Sequence, residues 1–137
     1  MLKVKVFPGG VAPVRKHKND AGLDLALPAD LIVGPRSRAF VNTCVAVELP
    51  SGTAGIIKSR SSLNKAGVQC EGGVIDEGYR GSIGLILYNH NDYPFKFRRG
   101  DRVAQLLVMP VLYTEVVEVS DLTDTERGDG GFGSTGR

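Results

Sequence analysis

A carboxylate set among glycines, with a ring and an arginine close behind it, is the strongest chemical signal in this chain. The run Gly73-Val74-Ile75-Asp76-Glu77-Gly78-Tyr79-Arg80-Gly81 places Asp76 directly after two apolar residues that read as strand. Tyr79 and Arg80 follow within four positions. Such a group can hold a base beside an anionic ligand, with a flat ring above it. A strand that ends in an Asp-Glu-Gly turn is the plainer reading of the same residues.

Four further polar, glycine-bearing segments offer matching residue types. Ala21-Gly22-Leu23-Asp24-Leu25 sets a second carboxylate at the start of an apolar strand, where it could also cap a turn. In the run from Lys58 to Gly67, Arg60, Ser61 and Ser62 precede a short helical stretch, Ser62 to Ala66. A guanidinium and hydroxyls at a helix start suit an anion, because free N–H groups point outward there; a simple capped helix, with Ser61 or Ser62 as the cap, has the same sequence. The run lacks the glycine spacing of a P-loop. Arg99 to Leu106 turns into a strand with one amide, Gln105, among apolar neighbours. That amide must find partners in backbone, ligand or water. Last, Arg127 to Gly136 combines an arginine, a lone ring at Phe132 and closely wrapping backbone, a composition shared by a disordered tail and a stacking lid.

Two carboxylates, several phosphate-seeking groups and two rings for a sugar and a base suit attack of activated water on a nucleotide. No Ser-His or Cys-His pair suggests a covalent nucleophile. Cys44 and Cys70 are too few for a disulfide framework, no Cys/His spacing suggests zinc, and both read as reduced packing residues. His17 and His90 receive no role. Two Arg-Gly-Asp triplets, at 99–101 and 127–129, resemble adhesion signals but lack a secretory route.

The elements that must position these groups are short. Eighteen glycines and seven prolines in 137 residues, with 42% apolar content and no long helical period, point to one all-β domain, a barrel or jelly roll. Strands are expected at Leu2–Phe7, Phe40–Leu49, Thr53–Lys58, Ile83–Asn89, Val103–Met109 and Glu115–Val119. Residues 1–126 are expected to form the domain. Residues 127–137, with five glycines, are expected to form a tail that is mobile until something binds it. A net charge of +2 calls for no nucleic acid or membrane partner, and the cluster Lys3, Lys5, Arg15, Lys16 and Lys18 reads as a solvated face. With no signal peptide or bilayer-length apolar run, a cytoplasmic place is expected.

The five segments, in this order from Ala21 to Gly136, closely resemble the five motifs of the homotrimeric dUTP diphosphatase (dUTPase) family. GVIDEGYRG, RGDRVAQLLV and RGDGGFGSTG are individually specific. The resemblance implies a jelly-roll-like fold, three subunits that share their active sites, and magnesium-dependent hydrolysis of dUTP to dUMP and pyrophosphate. By position, it implies that Asp76 is the base that activates water at the α-phosphorus and also holds the sugar 3′-hydroxyl. Gln105 would contact the α-phosphate or the water. Asp24 would bind the magnesium shell through water. Arg60, Ser61, Ser62 and Arg127 would hold phosphates, Tyr79 would exclude a ribose 2′-hydroxyl, Phe132 would stack over uracil, and Gly133 would lie along the phosphates. Uracil would be read by backbone of a hairpin near Gly67 to Val74, extending through Gly73, Val74 and Ile75. Gly84 would let its strand approach the ligand. In a viral source, the place of action would be the host cytoplasm or nucleus.

Some positions depart from the pattern. Ser62 and Gly78 stand where many members carry glycine and aspartate, and Gln69-Cys70-Glu71-Gly72 is not the usual hairpin run. Two rivals share the framework. A dCTP deaminase would need a glutamate on the strand Ile83–Asn89, which has none. A nucleotide-sensing regulator would bind dUTP as a switch, and intact Asp24, Asp76, Gln105 and Arg127 argue against lost catalysis.

Overall fold

The computed structural model describes residues 1–131. Eleven strands and one short helix follow in chain order: β1 Lys3–Val6, β2 Gly22–Ala26, β3 Leu31–Val33, β4 Ser37–Asn42, β5 Val45–Glu48, β6 Thr53–Ser59, α1 Ser61–Lys65, β7 Val68–Glu71, β8 Val74–Ile75, β9 Gly84–Asn89, β10 Phe95–Phe97 and β11 Arg102–Pro110. They form a four-stranded sheet in the order β2-β11-β6-β8, a three-stranded sheet β4-β9-β7, and the pairs β1-β5 and β3-β10. All named pairings are antiparallel. The fold is the expected all-β jelly roll.

Alternation drives this arrangement. In β9, Leu85, Leu87 and Asn89 are buried while Gly84, Ile86 and Tyr88 are only partly so, the period of two that one inward face demands. Leu25, Leu27, Ile57, Ile83, Leu85, Leu87, Val103 and Leu106 meet between the sheets as one dry core. The Asn89 amide is buried with them, and donates to the carbonyls of Val33, Gly34 and Tyr93. That answers its need for partners within the chain.

Four expectations need correction. Phe40–Leu49 is two strands, because Cys44 adopts φ 57 and breaks the run between β4 and β5. The segment Glu115–Val119 forms no strand: every residue there is exposed, Val116 at 91%. A strand requires a ladder partner, and the chain's own sheets offer this segment none. The helix start is capped by Arg60 in extended conformation, with no side-chain cap bond, so neither serine caps it. Finally, the hairpin near Gly67–Val74 is not a paired one. β7 pairs with β9 and β8 with β6, so Gly72 and Gly73 carry the chain from one sheet to another. Gly72 packs against the Ile57 side chain so closely that a Cβ would lie 2.8 Å from Ile57 Cγ2, and Gly73 turns at φ 67.

Candidate functional site

Five of the predicted residues converge. Asp24 on β2 stands directly opposite Gln105 on β11, which stands opposite Lys58 on β6. Directly opposed residues share a face, so this row points outward from the four-stranded sheet. Arg60 ends β6, and Ser61 and Ser62 open α1 beside it. Together with Lys16, Asp20 and Gly22 they line a cleft of about 380 Å³. The Leu63 and Asn64 N–H groups donate to the Arg60 carbonyl at 3.0 and 3.1 Å, which leaves the Ser61 and Ser62 amides, among the described residues, as donors at the cleft wall.

The electrostatic centre of this cleft is Asp24. Its side chain is 15% exposed, with Arg60 Nε at 3.3 Å and Arg102 Nη1 at 2.8 Å from its two oxygens. Arg60 also donates through Nη1 to the Arg102 carbonyl at 3.1 Å. One carboxylate thus orients two guanidiniums that retain donors for an anion, since each guanidinium carries five. Gln105 folds over Gly22, where a Cβ would come within 2.9 Å of the Gln105 Cβ. Glycine is needed there for the amide to lie along the cleft floor. Asp20 ties down the adjoining loop, its carboxylate accepting the His17 N–H at 2.9 Å and its carbonyl accepting from Arg15.

A second cluster lies at the far end of the same sheet. β8 is an edge strand. Val74 and Ile75 pair with Ile56 and Gly55 on one side, which leaves the other side of their backbone free to read a planar ligand. Ile75 itself points into the core, whereas Val74 is 60% exposed. Asp76 follows in an exposed turn closed by Tyr79 N–H donating to the Asp76 carbonyl at 3.0 Å. Tyr79 lays its ring over Gly81, and its hydroxyl donates to the Ser82 carbonyl at 3.0 Å. Gly84 faces the Phe40 ring, whose Cε2 would sit 2.7 Å from an added Cβ, so an internal contact occupies the space over this glycine.

The two clusters do not meet within one chain. Ile75 pairs with Gly55, which pairs with Val108, and Gln105 lies three residues back along β11. Two inter-strand steps and four residue rises put Asp76 about 16 Å from Gln105. Among the described residues, no cation lies within ion-pairing distance of Asp76. Between the clusters runs an outward apolar strip of Leu107, Ile56 and Val74, with Met109 beside it.

Arg127 is exposed and donates through Nε to the Gly130 carbonyl at 3.0 Å, within its own turn. Phe132 and Gly133 lie outside the described residues. The readings from sequence missed Lys16, Asp20, Gly81, Glu77 and Arg102. Of these, Arg102 had a visible signal, a guanidinium three residues before the one amide in an apolar strand.

No group of three or more His, Cys, Asp or Glu side chains among the described residues could cage a metal. Both Asp24 oxygens already face arginines. The donor set therefore fits magnesium only as an ion carried by phosphate oxygens and touched through water.

In sequence and fold the chain is similar to known proteins over nearly its whole length. The dUTPase family model matches residues 10–136. A deoxyuridine 5'-triphosphate nucleotidohydrolase of Gloeothece citriformis is 45% identical over 139 residues, covering 98% of this chain and 96% of that protein. The dUTPase of Staphylococcus bacteriophage 80alpha, solved with dUPNHPP, superposes with a TM-score of 0.93 at 30% identity, covering 100% of this chain and 99% of the other. A mutant dUTPase of phage phi11 of S. aureus, whose structure details coordination of a structural Mg(II) ion, superposes at 0.82 with 27% identity, over 88% of this chain and 97% of that one. The chain belongs to the dUTPase family and is a dUTP diphosphatase.

Proposed function

We propose that the enzyme hydrolyses dUTP in a site shared between copies, with the Asp76 turn of one subunit facing the Asp24–Arg60–Gln105 cleft of the next. The observation that carries this reading is the separation of about 16 Å between the two clusters within one chain, estimated from strand spacing and rise. Rotation about a closed symmetry axis brings one end of the sheet against the other end of a neighbour. The apolar strip between the clusters then lies where copies touch. A homotrimer is the assembly we infer.

In that site Arg60, Ser61, Ser62 and the free α1 amides hold phosphate oxygens, and Asp24 keeps the guanidiniums in place. Asp76 accepts a proton from a water molecule as its oxygen attacks the α-phosphorus in line. The bond from that phosphorus to the bridging oxygen breaks, leaving dUMP and pyrophosphate. Gln105 orients the water or the α-phosphate. The free edge of β8 reads uracil, whose acceptor at O4 and donor at N3 are reversed in cytosine, so cytosine leaves buried groups unpaired. Tyr79 packs where a ribose would carry its 2′-hydroxyl. Asp24 would hold, through water, a magnesium ion carried by the triphosphate, and that ion would supply charge neutralisation for the leaving group. Residues 127–137 supply Arg127, Phe132 and Gly133 as a closing lid.

A mixing experiment tests the shared site. Asp76→Asn and Gln105→Ala are each expected to be inactive; refolded together in equal amounts, they should regain about a quarter of wild-type pyrophosphate release, because intact halves meet at that frequency in a cyclic assembly. No recovery in a demonstrably mixed oligomer would refute it.

A further inference from the structure

Glu77 stands one residue beyond Asp76 and is only partly exposed. Its Oε2 accepts the Gly52 N–H at 2.8 Å and the Tyr113 hydroxyl at 2.9 Å. The Gly52 carbonyl in turn accepts the Val111 N–H at 2.9 Å, and Gly52 needs φ 75 to present both groups. Three stretches therefore tie at one carboxylate: the turn between β5 and β6, the Asp76 turn, and the chain where it leaves β11. On the other side of the Asp76 turn, Arg80 Nη1 donates to the Glu77 and Tyr79 carbonyls at 2.7 and 3.1 Å. Beyond Tyr113 the chain makes no strand and runs exposed towards Arg127.

We propose that Glu77 is a positioning residue which, through Tyr113, locks the Asp76 turn to the root of the C-terminal segment. This rests on the assignment of Asp76 as base. Two bonds to one oxygen hold the turn from below, while the Arg80 bonds hold it from the side. The Tyr113 bond also sets the direction in which the segment carrying Arg127 departs. The charges support the pairing: the Gly52 amide first, then Tyr113, draw the Glu77 carboxyl below its ordinary range. The Tyr113 phenol is pushed up, chiefly by its bond to Glu77.

The test compares Glu77→Ala, Glu77→Gln, Tyr113→Phe and the double variant Glu77→Ala/Tyr113→Phe in the full-length enzyme. Misplacing a reacting group by a fraction of an ångström lowers kcat rather than binding, so Glu77→Ala should lose about tenfold in kcat with KM within about twofold. Glu77→Gln, which keeps an oxygen for the Gly52 N–H, should recover most of that loss. Tyr113→Phe should lose about threefold in kcat, and the double variant should be no worse than Glu77→Ala alone, the non-additivity of one linked unit. Amide exchange at Gly52 and Val111 should quicken in Glu77→Ala. Unchanged kcat in Glu77→Ala, or additive losses in the double variant, would overturn the proposal. If Glu77→Ala fails to assemble, Tyr113→Phe decides alone, since it removes only an exposed hydroxyl. Asp76→Asn run alongside separates the two ideas: turnover surviving there sinks the base assignment, whatever Glu77 does.

Discussion

Arg102 reaches Asp24 across a β-bulge. Its Nη1 lies 2.8 Å from Asp24 Oδ2 because the β2–β11 register shifts between Arg102 and Ala104. Without that extra residue, Arg102 and Gln105, three apart, would point to opposite faces of β11. The bulge brings guanidinium and amide to one cleft.

Removing this pair should affect binding before folding. Arg102→Ala leaves Asp24 with Arg60 alone, and lets Arg60 swing toward the carboxylate it now neutralises unaided. A rise of about tenfold in KM for dUTP is expected, the size of one charge-assisted bond. Steady-state kinetics with a melting curve would check it; an unchanged KM would detach Arg102 from the site.

Asp76→Asn keeps the shape of the turn but removes the proposed proton acceptor. Binding of a non-hydrolysable dUTP analogue should hold within about threefold while kcat falls on the order of a thousandfold, the usual contribution of a general base. Calorimetry and pyrophosphate release together decide; substantial residual turnover would point to another base.

Gly81 matters through Tyr79. An added Cβ would fall on the Tyr79 hydroxyl and Cζ, and 2.9 Å from Cε2. The ring end can move, so Gly81→Ala should fold, but the ring must lift. Preference for dUTP over UTP, as a ratio of kcat/KM, should drop by about tenfold if that ring is the steric gate. An unaltered ratio would release Tyr79 from this role.

Cys70 makes alkaline pH a test of the core. Burial first, then the Glu71 charge, pushes its thiol up from 9.0 to about 12. The folded chain keeps this proton where the unfolded chain loses it. Stability from Cys70 is therefore complete below pH 9.0 and is lost as pH rises toward about 12. Denaturant midpoints across that window should fall in the wild type and fall less in Cys70→Val; parallel curves would contradict the assignment.

Deleting residues 127–137 should cut turnover far more than it lowers the melting temperature, because among the described residues the Arg127 side chain hydrogen-bonds within its own turn, to the Gly130 carbonyl. Turnover unaffected by the deletion would remove the lid from the mechanism.

Much of this enzyme is written locally. Alternation in β9 and β11, and glycine-punctuated breaks, were enough to read an all-β domain, because a period of two with one buried face leaves little other choice. Asp24, Arg60, Ser61, Ser62 and Gln105 stood out singly as polar residues in apolar or glycine settings. Their convergence is a matter of register, and register depends on which strands pair. β2 and β6 flank β11 although neither adjoins it in sequence. The same pairing decided that β7 and β8 part into different sheets, that Arg102 joins Asp24 through a bulge, and that Glu115–Val119 finds no ladder in its own chain. The distance between Asp76 and Gln105 is likewise a property of the folded sheet. Residue types specified which chemistry was available; only the pairing of non-neighbouring strands decided that the Asp76 turn and the Asp24–Gln105 cleft stand apart within one chain.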